Sequence, residues 1–227
     1  MVLFPCVRAA DNTVVFRALT FSTDKVPGVF YMTFPDTDGE QPYFPIRIDV
    51  RLTQDKDSVS SALNACSAGK ELDGYITCNA QEGEMITGAS FGLAMAVELS
   101  QPGRFPNIAF TGIVSNLGRD DCTFRIQDID NVVLKLRGAL SQLVPLVVPF
   151  SEEVKKFMET TPLMTPRKIT THEREEVQGL FQCGTAYSLV EAILVAPFLT
   201  PGKTGGKRVA QLLEAGTGGK SAKRARR

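Results

Sequence analysis

The chain has 227 residues, of which 43% are apolar and 22% charged, enough to bury a core in one domain that carries an extension. Its apolar runs reach only about ten residues, too short to span a bilayer, and the start MVLFPCVRAADN lacks a secretory leader's basic, long-apolar pattern and reads as a first strand. Five widely spaced cysteines without a CxxC, and the single histidine His172, argue against a disulfide framework and a structural zinc site, and favour reduced thiols inside a cell.

In chain order, NTVVFRALTF and VPGVFYMTF are β-branched and aromatic, as strands are. In FPIRIDVRLT, Ile46, Ile48, Val50 and Leu52 alternate with Arg47, Asp49 and Arg51, which predicts one half-buried strand with its charges outward. DKDSVSSALNACSAG switches to helical spacing, with Asp57 or Ser58 as cap and Gly69 as stop. DGYITCNAQEG reads as a short strand, and a helix rich in small residues begins near Ser90. PNIAFTGIVSN reads as one buried strand, DIDNVVLKLRGAL as an amphipathic helix and LVPLVVPF as an apolar strand. SEEVKKFMET opens with a serine cap and two glutamates suited to the helix dipole. Beyond a linker, Thr170 and Glu173 form a capping box for a helical segment running to about residue 199.

These elements predict an α+β fold, an α/β sandwich in which helices pack on a mixed sheet. Residues 1–160 form the main domain, 161–202 a helical extension and 203–227 a flexible basic tail. The tail contains Lys203, Lys207, Arg208, Lys220, Lys223, Arg224, Arg226 and Arg227 against the one acid Glu214, while residues 1–202 carry 17 basic against 24 acidic side chains. Such a tail suits phosphates, through release of their counterions, or serves as a nuclear import signal. It has no interleaved aromatics for stacking on bases.

The segment GEMITGASFG places Ser90 among glycines at a helix start. It lacks the Gly-Lys-Ser/Thr ending of a phosphate-binding loop. Ser90 is either a nucleophile or an N-cap whose hydroxyl bonds the first N–H groups of the helix. Lys135 is either a base for that serine or part of a solvated helix face with Arg137. Cys66, Cys78 and Cys122 read as small core residues, and His172 as an exposed residue at a helix start.

YITCNAQEGEMITGASFGLAMAVELS, NIAFTGIVSNLG and DNVVLKLRGALSQLVPLVVPFSEE together resemble the proteolytic domain of the Lon protease family, over about Arg47 to Glu159. That family has a ribosomal-protein-like α/β fold and a serine–lysine dyad. The resemblance puts its nucleophile on Ser90, the following glycine on Gly92, and its Thr-Gly on Thr111 and Gly112, with Ile113 where the family has glutamate. Thr87 and Ala89 replace the family's aspartate and proline, and Asn131 takes the place of the catalytic lysine, with Lys135 one helical turn later. The resemblance therefore implies a broken dyad: a non-catalytic Lon-like domain that serves as a structural or binding component. Double-stranded RNA viruses carry such a branch in core and capsid-associated proteins, and this chain looks like a phytoreovirus core-protein-like member. Its partners would be other protein subunits, in a capsid or homo-oligomer, with RNA or an acidic partner on the tail and neither cofactor, metal nor membrane. Two alternatives stand beside this reading. One is a serine–lysine endopeptidase similar to the birnavirus processing protease, with Ser90 as nucleophile and Lys135 as base. The other is a nuclear or RNA-associated adaptor. The location expected is the host cytoplasm or virion, or the nucleus through the tail.

Overall fold

The structure, a computed structural model, describes residues 1–33, 46–54, 56–66, 73–81, 83–115, 124–160 and 183–199. The linker after Thr160, the Thr170–Glu173 capping box, His172, Cys122 and the basic tail lie outside the described residues.

The first strands are β1 (Val2–Val7), β2 (Val14–Ser22), β3 (Tyr31–Thr33) and β4 (Ile46–Asp49), followed by α1 (Lys56–Cys66) and β5 (Gly74–Cys78). Next come α2 (Gly92–Ser100), β6 (Ala109–Phe110), β7 (Ile113–Ser115), β8 (Arg125–Gln127) and α3 (Val132–Ser141). The last are β9 (Leu146–Pro149), α4 (Glu152–Thr160), β10 (Cys183–Ala186) and α5 (Leu189–Val195). Among the described residues, eight strands form one mixed sheet in the order β10-β9-β6-β1-β2-β5-β4-β3, and β7 pairs with β8 in a separate ribbon. The predicted mixed sheet with packed helices is therefore present. One core joins Val2, Phe4 and Ile76 of the sheet to α1, α2 and α5. The other joins Ala109, Leu146 and Val148 to α3 and α4. Successive strand residues point to opposite faces, so Phe4 and Leu3 of β1 serve different layers.

Three predicted elements come out differently. The alternating run 46–52 stops as a strand at Asp49 and tightens into the 3₁₀ turn Val50–Leu52. Asp49 is fully buried rather than outward-facing, because its carboxylate accepts bonds from Arg51 and from the Cys78 N–H. Residues 107–115 are not one strand: the chain breaks at Thr111-Gly112 and passes from the main sheet into the ribbon. Residues 183–186, read as helix, form β10, parallel to β9, because pairing with an apolar neighbour overrides weak local preference. The segment read as a helical extension thus adds a strand to the main sheet.

The sheet also has a split. β1 and β6 pair only at Leu3 and Ala109, where the Leu3 N–H reaches the Ile108 carbonyl at 2.9 Å. The next residue facing that side is Pro5, which has no N–H to continue the ladder. β6 ends at Phe110, and the two strands part.

Candidate active site

Ser90 reaches the split from one layer. After β5 the chain crosses to Gly88, whose φ of 86° lies in the left-handed region that glycine tolerates. It then makes the 3₁₀ turn Ala89–Phe91, which runs into α2. Phe91 is buried against Phe4, with ring centroids 6.1 Å apart. The Ser90 carbonyl accepts the Gly112 N–H at 2.9 Å and the Thr111 hydroxyl at 3.3 Å. The break in the predicted strand 107–115 therefore anchors the serine. Glycine is needed at 112, because a Cβ there would sit 2.5 Å from Ile126 of β8. No side-chain cap bond forms at the start of the 3₁₀ turn or of α2, so Ser90 is not an N-cap.

Lys135 arrives from the opposite layer. It lies in the first turn of α3, behind Asn131, which takes a left-handed conformation (φ 60°) as the N-cap. One turn later, Gly138 lets α3 approach β2 closely: a Cβ there would meet Val14 at 2.5 Å. From that depth the lysine passes through the split. Its Nζ stands 2.8 Å from Ser90 Oγ and 3.4 Å from Thr111 Oγ1. The expectation that no amine stands beside this hydroxyl is corrected by that contact, and the reading of Lys135 as a solvated surface residue falls with it, since its exposure is 5%. The physical reason is the drift of α3. Asn131 only opens the helix, and the residue one turn on shares its face while lying deeper.

Burial disfavours the ammonium and lowers the Lys135 pKa to about 8, against the opposing pull of Cys6 and Asp130. The Cys6 thiol is itself pushed up to about 12 by burial. It is uncharged where the lysine titrates, so its pull is small. Cys78 and Cys183 are also raised to about 12 by burial. These three cysteines therefore offer no thiolate near neutral pH.

The dyad opens on a cleft of about 440 Å³, walled by residues 4–9 of β1 and the turn after it, by residues 84–91 and by Ile113, Ile129 and Asp130. The leading N–H groups of the 3₁₀ turn have no carbonyl within the turn to bond, and Gly88 and Ala89 line the cleft. On the cleft side, the Val7 N–H and C=O face away from β2, since β2 is bonded through the even-numbered residues, as the Arg8 N–H to Thr13 O bond of 2.9 Å illustrates. An extended peptide can bond to such an open edge.

Among the described residues, no group of three or more His, Cys, Asp or Glu gathers as metal ligands, and no helix is long and apolar enough to cross a membrane. Sequence reasoning named Ser90, Lys135, Thr111 and Gly112, and the structure brings all four together. It missed the buried Asp49 and the pair Arg17–Glu84 (2.8 Å), for which the sequence offers no spacing signal. A comparison with protein-family models finds no match for this chain, and a comparison with curated proteins finds none either.

Proposed function

We propose that the chain is a serine–lysine endopeptidase with a Lon-like proteolytic domain, Ser90 being the nucleophile and Lys135 the general base. The observation that carries this reading is the 2.8 Å contact between a buried lysine nitrogen and the serine hydroxyl. A serine is a weak nucleophile until a base takes its proton. A lysine serves near neutral pH only when burial depresses its pKa, as here. In the neutral amine the Ser90 hydroxyl donates to Nζ. The substrate lies extended along β1 with its scissile carbonyl over Ser90. Ser90 Oγ attacks that carbon while its proton passes to Lys135, and the oxyanion meets the N–H groups leading the 3₁₀ turn. The Lys135 ammonium returns the proton to the departing amine. Water then attacks the acyl-enzyme, with the amine again as base. Thr111 Oγ1 touches Nζ and the Ser90 carbonyl, and fixes both partners. The element order carrying the resemblance supports the Lon-like assignment, with Lys135 rather than Asn131 as the family's lysine.

A serine-directed phosphonate probe tests this reading. With the base titrating near 8, its neutral fraction is roughly one tenth at pH 7 and nine tenths at pH 9. Labelling is expected to rise about tenfold across that range and to vanish in Ser90→Ala. Labelling that is flat with pH, or that survives in the variant, refutes the dyad.

The charge asymmetry favours a second, separate reading: the tail from Lys203 to Arg227 contacts RNA phosphates. RNA affinity is expected to fall steeply with salt for the whole chain and to be lost in a 1–202 truncation. Equal affinity of the two removes the reading.

A further inference from the structure

Ser90 is carried by an irregular connection between β5 and the 3₁₀ turn, of which residues 79–81 and 83–88 are described. The start of this connection is tied down by backbone and amide bonds. The Ala18 N–H donates to Asn79 Oδ1 at 2.7 Å, and the Asn79 N–H donates to the Ala18 carbonyl at 3.1 Å. Arg51 donates to the Ala80 carbonyl at 2.7 Å. Nearer the serine, one side-chain attachment is an ion pair. Arg17 of β2 holds Glu84 through Nε at 3.1 Å and Nη2 at 3.0 Å to Oε1, with Nη2 also 2.8 Å from Oε2. Glu84 Oε2 in turn accepts the Gln81 N–H at 2.8 Å. This geometry is two-pronged and partly buried, with side-chain exposures of 12% and 25%, unlike a solvated surface pair. Glu84 belongs to the cleft wall, six residues before Ser90. Arg17 pairs across the sheet with Phe4, whose ring packs on Phe91, immediately after Ser90. β1 and β2 thus grip the serine-bearing segment on both sides.

We infer that Arg17 and Glu84 are positioning residues that hold the cleft wall 84–88 and the Ser90 turn in reactive geometry. The inference rests on the serine–lysine reading above. The two side chains bond to each other and to the Gln81 N–H, so the pair acts through the loop. A displacement of about 1 Å at a nucleophile lowers rates on the order of a hundredfold.

The test uses Arg17→Ala, Glu84→Gln and Arg17→Lys in the full chain, with two readouts. The first is the rate of Ser90 labelling against pH. Arg17→Ala and Glu84→Gln are expected to lower it by roughly 10–100-fold while leaving the midpoint near pH 8, since Lys135 itself is untouched. Arg17→Lys keeps the charge without the two-pronged fork, and is expected to recover part of the rate. The second readout is amide hydrogen exchange, which needs no catalysis. Exchange is expected to quicken at residues 83–90 and to stay slow in β1 and β2. Unchanged exchange at 83–90 overturns the inference, whether or not the protein is a peptidase. So does a labelling rate within twofold of the parent. Wild-type protein that does not label, together with loosened 83–90 in the variants, refutes the peptidase reading and leaves the loop clamp standing.

Discussion

Replacing Lys135 with methionine is expected to abolish Ser90 reactivity and to make the protein more stable. The two effects share one cause. The lysine is 5% exposed, and burial lowers its pKa from 10.5 to about 8. Below pH 8 the side chain is protonated in both the folded and the unfolded chain, and the fold bears the full penalty of a desolvated ammonium. Between pH 8 and 10.5 the unfolded chain binds the proton more tightly, so wild-type stability rises with pH and the penalty fades. At pH 7 the difference corresponds to roughly 3 kcal/mol. Methionine has similar length and no charge, so it is expected to raise Tm by about 6–12 °C for a chain of this size. The increment should shrink above pH 9. Labelling at Ser90 should fall about a thousandfold or more, because no base remains. Lys135→Arg separates the terms: a guanidinium does not deprotonate, so that variant should lose reactivity without gaining stability. Thermal unfolding of the three proteins at pH 7 and pH 10 checks this. A destabilised Lys135→Met protein would show that the lysine holds the fold together rather than straining it.

The largest loss of stability is expected at Asp49. Its carboxylate is fully buried and accepts the Arg51 N–H at 3.1 Å, Arg51 Nε at 2.9 Å and the Cys78 N–H at 3.1 Å. Arg51 also donates to the Cys78 carbonyl at 2.6 Å, and its own carbonyl accepts the Ile86 N–H at 2.9 Å. Alanine at 49 leaves a partly buried guanidinium without its counter-charge and a buried N–H without an acceptor. Removing one partner of such a pair costs about 3–5 kcal/mol, or about 6–20 °C in Tm. Asparagine keeps one acceptor oxygen and should lose less. Denaturant unfolding of both variants measures the difference, and an alanine variant within 1 kcal/mol of wild type would show the pair to be no more than a surface ion pair.

The two residues were legible in the sequence to different degrees. Asp49 sits in a run whose alternation fits a half-buried strand, and nothing in that run says that the strand ends on a buried carboxylate. The partner that makes this burial tolerable, the Cys78 N–H, lies 29 residues away. At Ser90 the glycine-flanked turn was plain, yet the group that meets its hydroxyl belongs to a side chain 45 residues distant. The strand β10 was hidden because Cys183–Ala186 gains its pairing from β9. By contrast, the start of α5 carries a local signal in the sequence itself. Ser188 accepts the Glu191 N–H at 3.2 Å and Glu191 accepts the Tyr187 N–H at 2.7 Å, the Ser-x-x-Glu spacing of a capping box with the glutamate bonding one residue ahead of the cap.

By itself the sequence determined the class of fold, the positions of most strands and helices, and the short roster from which a site could be drawn. Those follow from the period of apolar residues and from local caps, which act over a few residues. The tertiary structure alone decided whether an amine stands beside the Ser90 hydroxyl. That contact joins two layers through a gap opened where Pro5 cannot extend the β1–β6 ladder, and it depends on how closely Gly138 lets α3 approach β2. A helical turn is 5.4 Å, larger than the reach of a hydrogen bond, so alignment by spacing could not choose between Asn131 and Lys135, whereas packing depth does.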